Sequence, residues 1–293
     1  METLDLLYIL NPSQRLWWPY LLGALGMAGI FLLLAPRYAR LLLGRHVWWH
    51  PSARLDYGYF VVVGLIKATL VVWMLPDAAA VAAKVIAFLH THLGRQQPLA
   101  WPKEVIVALY TVTIFVVSDL SRYWLHRWMH TVPFLWRFHR VHHSARVLNP
   151  LTFYRVHPVE NLLFGLRYAL VAGIVTGGFI YLFGARLGVA QIAGVNLLVF
   201  ISAFAGANLR HSHLPIRFGK AERWLVSPAM HQFHHTREGA QTNYGGTLAL
   251  WDRVFGSLVI PDHTIRRFGL GRALHTSLAA LLFEPLKMKG TSR

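Results

Sequence analysis

An all-α fold, a polytopic membrane helical bundle with a cytosolic helical cap, is predicted by three features of this 293-residue sequence. The composition is 55% hydrophobic and 14% charged with a positive mean hydropathy, which takes the chain out of the soluble class. Several apolar stretches approach the roughly 20 residues that a helix needs to cross a bilayer core of about 30 Å. Histidines recur at i, i+3 and i+4, the spacing that shares one face of a helix.

Taken in order, the expected spans are Trp17 to Leu34, Tyr57 to Leu75, Val105 to Leu120, Asn161 to Leu182 and Val189 to Asn208. The third is short, and Ser118 and Asp119 let it leave the bilayer as a helix that continues into water. The alanine- and valine-rich segment Asp77 to His92 is too weakly apolar for a span and is expected to be interfacial or re-entrant. Glu2 and Asp5 replace a basic leader, and no A-x-A-like site follows, so the first apolar segment is expected to be retained. One domain over 1–293 is the economical reading, with N-terminal spans in 1–118, a histidine-rich core in 119–262 and a tail in 263–293.

A net charge of +17 suggests a nucleic-acid partner until its distribution is examined. Lysine and arginine concentrate in Arg37 to Arg54, Arg122 to Arg155 and beyond Arg210, while the loops near Arg95 and Arg186 hold few. That asymmetry orients a membrane protein with the rich segments in the cytoplasm, so no nucleic-acid partner is expected. Lys67 and Arg167, near apolar spans, are expected to snorkel to the interface. The chain has no cysteine, which excludes disulfides, iron–sulfur clusters and thiolate zinc sites.

The word HxxHH occurs twice, as His139, His142 and His143 and as His231, His234 and His235, and His126 and His130 form HxxxH upstream. With the fourth and fifth spans forming a hairpin through Gly184 to Gly188, all three words emerge on one side, joined by His211 and His213. Eight imidazoles exceed one tetrahedral zinc site and suit two adjacent metals. No Glu-x-x-His or HExxH word is present, so such a centre is nitrogen-rich. Asp119 is read either as an acceptor orienting an imidazole or as a helix-end residue, and Asp252 either likewise or as a cap of the turn around Trp251 and Phe255. His46 and His50 belong to an aromatic interfacial belt; His90, His92, His263 and His275 have no cluster spacing.

HRWMH, RFHRVHHS, the Arg155-Val156-His157-Pro158 step, NLRHSH, SPAMHQFHH and NYGGTLALWDRVFG together resemble the fatty acid hydroxylase/sterol desaturase superfamily of membrane di-iron oxidases over roughly 119–261. The resemblance implies two non-haem irons, with dioxygen as co-substrate and two electrons, that hydroxylate or desaturate an unactivated lipid C–H bond. Sterol, fatty acyl, ether lipid and carotenoid substrates stay open. It implies His126, His130, His139, His142, His143, His231, His234 and His235 as ligands, with His211 as the additional histidine. His213 or His157 could supply a tenth ligand, but His213 stands where many members have asparagine, and His157 is put nearer the substrate or behind the ligands rather than at iron. No haem motif, ferredoxin cysteines or Rossmann glycines occur, so electrons would come from a separate cytochrome b5-like protein, ferredoxin or reductase. A bacterial inner membrane or endoplasmic reticulum is the expected location. The competing class, a metal transporter, needs ligands near the bilayer midplane, whereas these lie beyond the span ends. A silent lipid-binding relative would be expected to have lost ligands, and all three words are intact.

Overall fold

The computed structural model describes residues 9–40, 44–184, 187–192, 195–265, 267–271 and 276–287. Glu2, Asp5, Arg186 and His275 lie outside the described residues. In chain order the helices are α1 (Trp18–Leu34), the single turn α2 (Arg45–Trp48), α3 (Pro51–Ile66), α4 (Ala78–Leu93), α5 (Lys103–Thr131), α6 (Pro133–His143) and α7 (Pro158–Phe183). A two-residue hairpin, β1 (Gln191–Ile192) with β2 (Val195–Asn196), precedes α8 (Leu197–Phe204), α9 (Pro228–His234), α10 (Leu250–Val254) and α11 (Leu278–Phe283). The fold is all-α. Pro51–Leu93, Lys103–Thr131 and Pro158–Phe183 are long and apolar enough to cross a membrane, and Trp18–Leu34 is a shorter apolar helix.

The centre of the bundle is α7. Gly165, Ala169, Gly173 and Gly177 recur every four residues along one of its faces; α4 lies against Gly173 and Gly177, and Leu75, just before α4, against Gly165. A Cβ added at Gly177 would stand 2.8 Å from the Ala82 carbonyl, and one at Gly173 would collide with the Val81 Cβ. Such small-residue faces let helices approach where the solvent offers no hydrophobic drive. The segment expected to be interfacial is therefore a full helix in the bundle, because weak apolarity in alanine is also smallness, which close pairing uses. Asp77 starts it by accepting from Ala79 N at 2.9 Å.

On the other side α5 runs antiparallel to α7. Tyr110 Oη meets Thr176 Oγ1 at 2.6 Å, and Arg167 Nη1 donates to the Ser118 carbonyl at 2.9 Å and to Ser121 Oγ at 2.7 Å. Arg167 thus ties two helices together rather than snorkelling. As allowed by its composition, α5 runs unbroken past Asp119 to Thr131, where Pro133 ends it and opens α6.

The expected fifth span is not one continuous helix. Residues 187–192 and β2 form an irregular return held on α5: Ala190 N donates to Thr111 Oγ1 at 2.9 Å and Asn196 Nδ2 to the Thr111 carbonyl at 3.1 Å. Asn196 then caps the eight-residue α8, accepting from Leu198 N at 2.9 Å. Irregular backbone packed against a helix requires partners of this kind, and Asn196 both donates to Thr111 and accepts from the start of α8. Gly206, at φ 84°, ends the return and leads into a 3-10 turn, Ala207–His211.

The linker from α6 to α7 is fixed on α3. Asp56 pairs with Arg155 at 3.1 Å and accepts from Thr152 Oγ1 at 2.7 Å and Asn149 Nδ2 at 3.1 Å, all buried. Tyr59 and Val63 of α3, Val141 of α6 and Leu281 of α11 close a small core behind it.

Candidate metal centre

All nine expected histidines converge at one end of the bundle, and they do so as two sets. His126, His130, His139, His143 and His234 form one; His142, His211, His231 and His235 form the other. Within each set the donor nitrogens lie within 4.8 Å of one another. Neither HxxHH word serves a single point. Residues four apart differ by about 40° around a helix and consecutive residues by about 100°, so each word splits. His139 and His143 share the first set while His142 turns to the second. His231 and His235 share the second while His234 turns to the first. The two words thus cross-link the two sets in opposite senses.

The nitrogen spacings are those of a ligand shell. His126 Nε2 is 3.1 Å from both His139 Nε2 and His234 Nε2. His211 Nε2 is 3.2 Å from His142 Nε2, 3.1 Å from His231 Nε2 and 3.2 Å from His235 Nε2, and the last two are 3.2 Å apart. Three mutually adjacent nitrogens cannot all be satisfied by hydrogen bonds, since each neutral ring carries a single proton. A metal ion about 2.1 Å from each nitrogen sets neighbouring nitrogens about 3.0–3.4 Å apart.

The outer ring nitrogens are oriented for this. His126 Nδ1 donates to the Tyr244 carbonyl at 2.8 Å, His234 Nδ1 to the Thr242 carbonyl at 2.6 Å, and His139 Nδ1 pairs with Glu160 Oε1 at 2.8 Å. Donation from Nδ1 leaves Nε2 as the free lone pair facing inward. Both ring nitrogens of His130 and of His143 are buried with no hydrogen-bond partner among the described residues. Burying such groups unpaired is costly, and a bound cation removes that cost. Burial first, then neighbouring imidazoles, holds His142, His143, His231 and His235 well below the usual histidine range; His211 is lowered by burial and then by Arg15. Burial pushes His234 down to about 3. The donor set is neutral imidazole, which suits iron, zinc, copper or nickel.

The loop after α9 supports the first set. Asn243, at φ 53°, reverses the chain between the two carbonyls that receive His234 and His126. Asp252 holds that loop by accepting from Tyr244 N at 2.7 Å, Gly245 N at 2.8 Å and Ser257 Oγ at 2.7 Å. Asp119 accepts from Thr247 N at 2.9 Å and from Leu248 N and Trp251 Nε1 at 3.0 Å. Neither aspartate touches an imidazole of the sets. Both bind the 244–257 segment instead, Asp119 at Thr247, Leu248 and Trp251 and Asp252 at Tyr244, Gly245 and Ser257.

The carboxylate that does orient a ring is Glu160, which the sequence reading missed. Its only signal was an acid in the first turn of an apolar helix. His157 caps α7 by accepting from Val159 N at 3.2 Å, and its Nε2 meets the Leu282 carbonyl at 3.0 Å. His213 accepts from Leu148 N at 3.3 Å. Neither is in a set. His50 accepts from Ser52 N at 3.0 Å and caps α3.

Of two cavities, one is lined by members of both sets and the other by none. One of about 40 Å³ is lined by His126, His211 and His231 together with Arg15, Arg122, Arg210 and Phe153. Burial, then repulsion from Arg122, lowers Arg15 to about 10; burial, then Arg15 and Arg122, lowers Arg210 to about 9. The other, of about 110 Å³, is apolar, and runs from Leu21, Leu25 and Ala28 of α1 past Trp48 to Leu209 and His213.

A helical membrane protein with a buried double set of imidazoles at one end of its bundle is what the fold and site define. The fatty acid hydroxylase family matches residues 111–257, half of the sequence, and the chain belongs to that family. It is 28% identical over 218 residues to an ornithine lipid hydroxylase of Rhizobium tropici, covering 73% of this chain and 60% of that protein. It is 27% identical over 177 residues to the alkylglycerol monooxygenase of Homo sapiens, covering 60% of this chain and 35% of that one. A Delta(7)-sterol 5(6)-desaturase of Eremothecium gossypii is 27% identical over 176 residues, 60% of this chain and 45% of that one. The matches thus span less than two thirds of each of these relatives. No solved structure matches the chain.

Proposed function

We propose that this protein is a non-haem di-iron oxidase that uses dioxygen and two electrons to hydroxylate or desaturate a lipid C–H bond. The observation that carries the reading is the pair of adjacent histidine sets in a membrane helical bundle, with His126 and His231 half-buried and the other seven imidazoles buried. His126, His130, His139, His143 and His234 would hold one iron and His142, His211, His231 and His235 the other. Bound there, the irons would supply dioxygen activation, chemistry that no side chain here provides.

The residues of the chain bind, orient and exclude. Glu160 and the Thr242 and Tyr244 carbonyls fix which ring nitrogen faces inward. Burial of both sets keeps bulk water from the reacting carbon. The apolar cavity beside α1, of about 110 Å³, has the volume of a short aliphatic segment, and the relatives' names, which include a lipid hydroxylase, a monooxygenase and a sterol desaturase, favour lipid oxidation. The lysine and arginine distribution favours a cytoplasmic histidine end and a multi-pass arrangement. The electron donor is a separate protein.

The test is lipid analysis of cells with and without the protein, followed by turnover of the purified, iron-loaded chain with a chemical reductant. A lipid that gains one oxygen or loses two hydrogens only when dioxygen is present is expected. An active preparation free of transition metal would overturn the assignment.

A further inference from the structure

The small cavity between the histidine sets is unusually cationic. Arg15 precedes α1, Arg122 lies on α5 and Arg210 on the 3-10 turn before His211, yet all three line the same space. Among the described residues none of them forms an ion pair. Two carboxylates lie near enough to offset part of this charge, Asp119 beside all three and Glu160 beside Arg122. Asp119 is turned to two backbone amides and the Trp251 indole and Glu160 to His139, and the three guanidinium groups still leave one positive charge more than the negative charges present. Arg210 donates to the Gly246 carbonyl, and Arg15 stacks on Phe153 at 5.2 Å. A Cβ at Gly246 would stand 2.7 Å from Arg122 Cδ, so the glycine makes room for that side chain.

Three guanidinium groups gathered in a low-dielectric space repel one another, and two bound cations beside them would add to the excess. Buried positive charge of this kind is stable when an anion joins it, and guanidinium matches carboxylate and phosphate oxygens in pairs. The volume, about 40 Å³, has room for a few waters or one oxyanion group. His126 belongs to one histidine set and His211 and His231 to the other, so an anion held here sits beside both.

We propose that this cavity is an anion subsite that receives the carboxylate or phosphate of a lipid headgroup, and so brings the polar end of the lipid to the metal centre. That the bound lipid is the substrate rests on the oxidase reading above; that an anion binds does not.

The test is calorimetric titration of the purified full chain in neutral detergent with hexyl phosphate, inorganic phosphate and hexanol. Hexyl phosphate is expected to bind, and Arg15→Gln and Arg122→Gln are each expected to weaken it at least tenfold. Arg15→Lys, which keeps the charge, should retain most of the affinity and so separates lost charge from lost folding. Hexyl phosphate binding at least tenfold tighter than inorganic phosphate would identify a headgroup as the source. Equal affinities would assign the site to a free phosphate and overturn the lipid assignment. No anion binding, hexanol binding as tightly as hexyl phosphate, or affinities unchanged in both glutamine variants would overturn the subsite itself. Because binding is read without turnover, anion binding in a chain that oxidises no lipid would sink the oxidase reading alone.

Discussion

His139 Nδ1 lies 2.8 Å from Glu160 Oε1, joining the first HxxHH word to the first turn of α7 with both groups buried. By accepting from Nδ1, the carboxylate fixes the tautomer that leaves His139 Nε2 facing inward. Replacing Glu160 with Gln keeps the shape and removes the charge. Metal affinity of the first histidine set is expected to fall about 10- to 100-fold. Metal content after dialysis against a graded chelator measures it, and unchanged retention would remove Glu160 from the centre.

His142 and His143 are neighbours in sequence and belong to different sets. Alanine at either position is therefore expected to weaken a different ion. Each single variant should retain more metal than the double variant. Spectra of the iron-loaded protein should lose different components in H142A and H143A. Identical residual spectra would mean that the words do not split.

Gly173 and Gly178 provide an internal control on α7. A side chain at Gly173 collides with Val81, whereas nothing lies within 4 Å of a Cβ added at Gly178. Gly173→Leu is expected to destabilise the chain by about 1–3 kcal/mol or more through overpacking, and Gly178→Leu to have little effect. Melting in detergent compares them. Equal melting temperatures would contradict the pairing of α4 with α7.

Acid is expected to destabilise the metal-free protein. His142, His143, His211, His231 and His235 are held well below the ordinary histidine range and His234 at about 3. Above about pH 6.5 these rings are neutral whether folded or unfolded. As pH falls below that value the unfolded chain takes up protons that the folded chain refuses, and each such group removes up to about 1.4 kcal/mol per pH unit. Melting temperatures from pH 7.5 down to 5 should fall steeply; a flat profile would show that the rings are not buried as neutral groups.

Much of this architecture was legible beforehand. The apolar runs of α1, α5 and α7 and the three histidine words follow from composition and spacing, whereas His211 is reached through its place after the expected fifth span and through the family resemblance. The return from α7 did not, because a hydropathy window cannot see that Asn196 and Thr111 pair an irregular backbone. The place of α4 did not either, since alanine reads as weakly apolar until a glycine stripe is set against it.

The sequence by itself determined the chemistry of the donors: neutral nitrogen, no thiolate, and pairs of rings separated by helical angles that a single segment fixes. Tertiary structure alone decided which ring joins which set, because that depends on how α5, α6 and α9 are rotated against one another. It alone also brought Glu160 to His139 and drew Arg15, Arg122 and Arg210, distant along the chain, around one cavity. Spacing encodes direction within a helix, whereas convergence is a property of packing between helices.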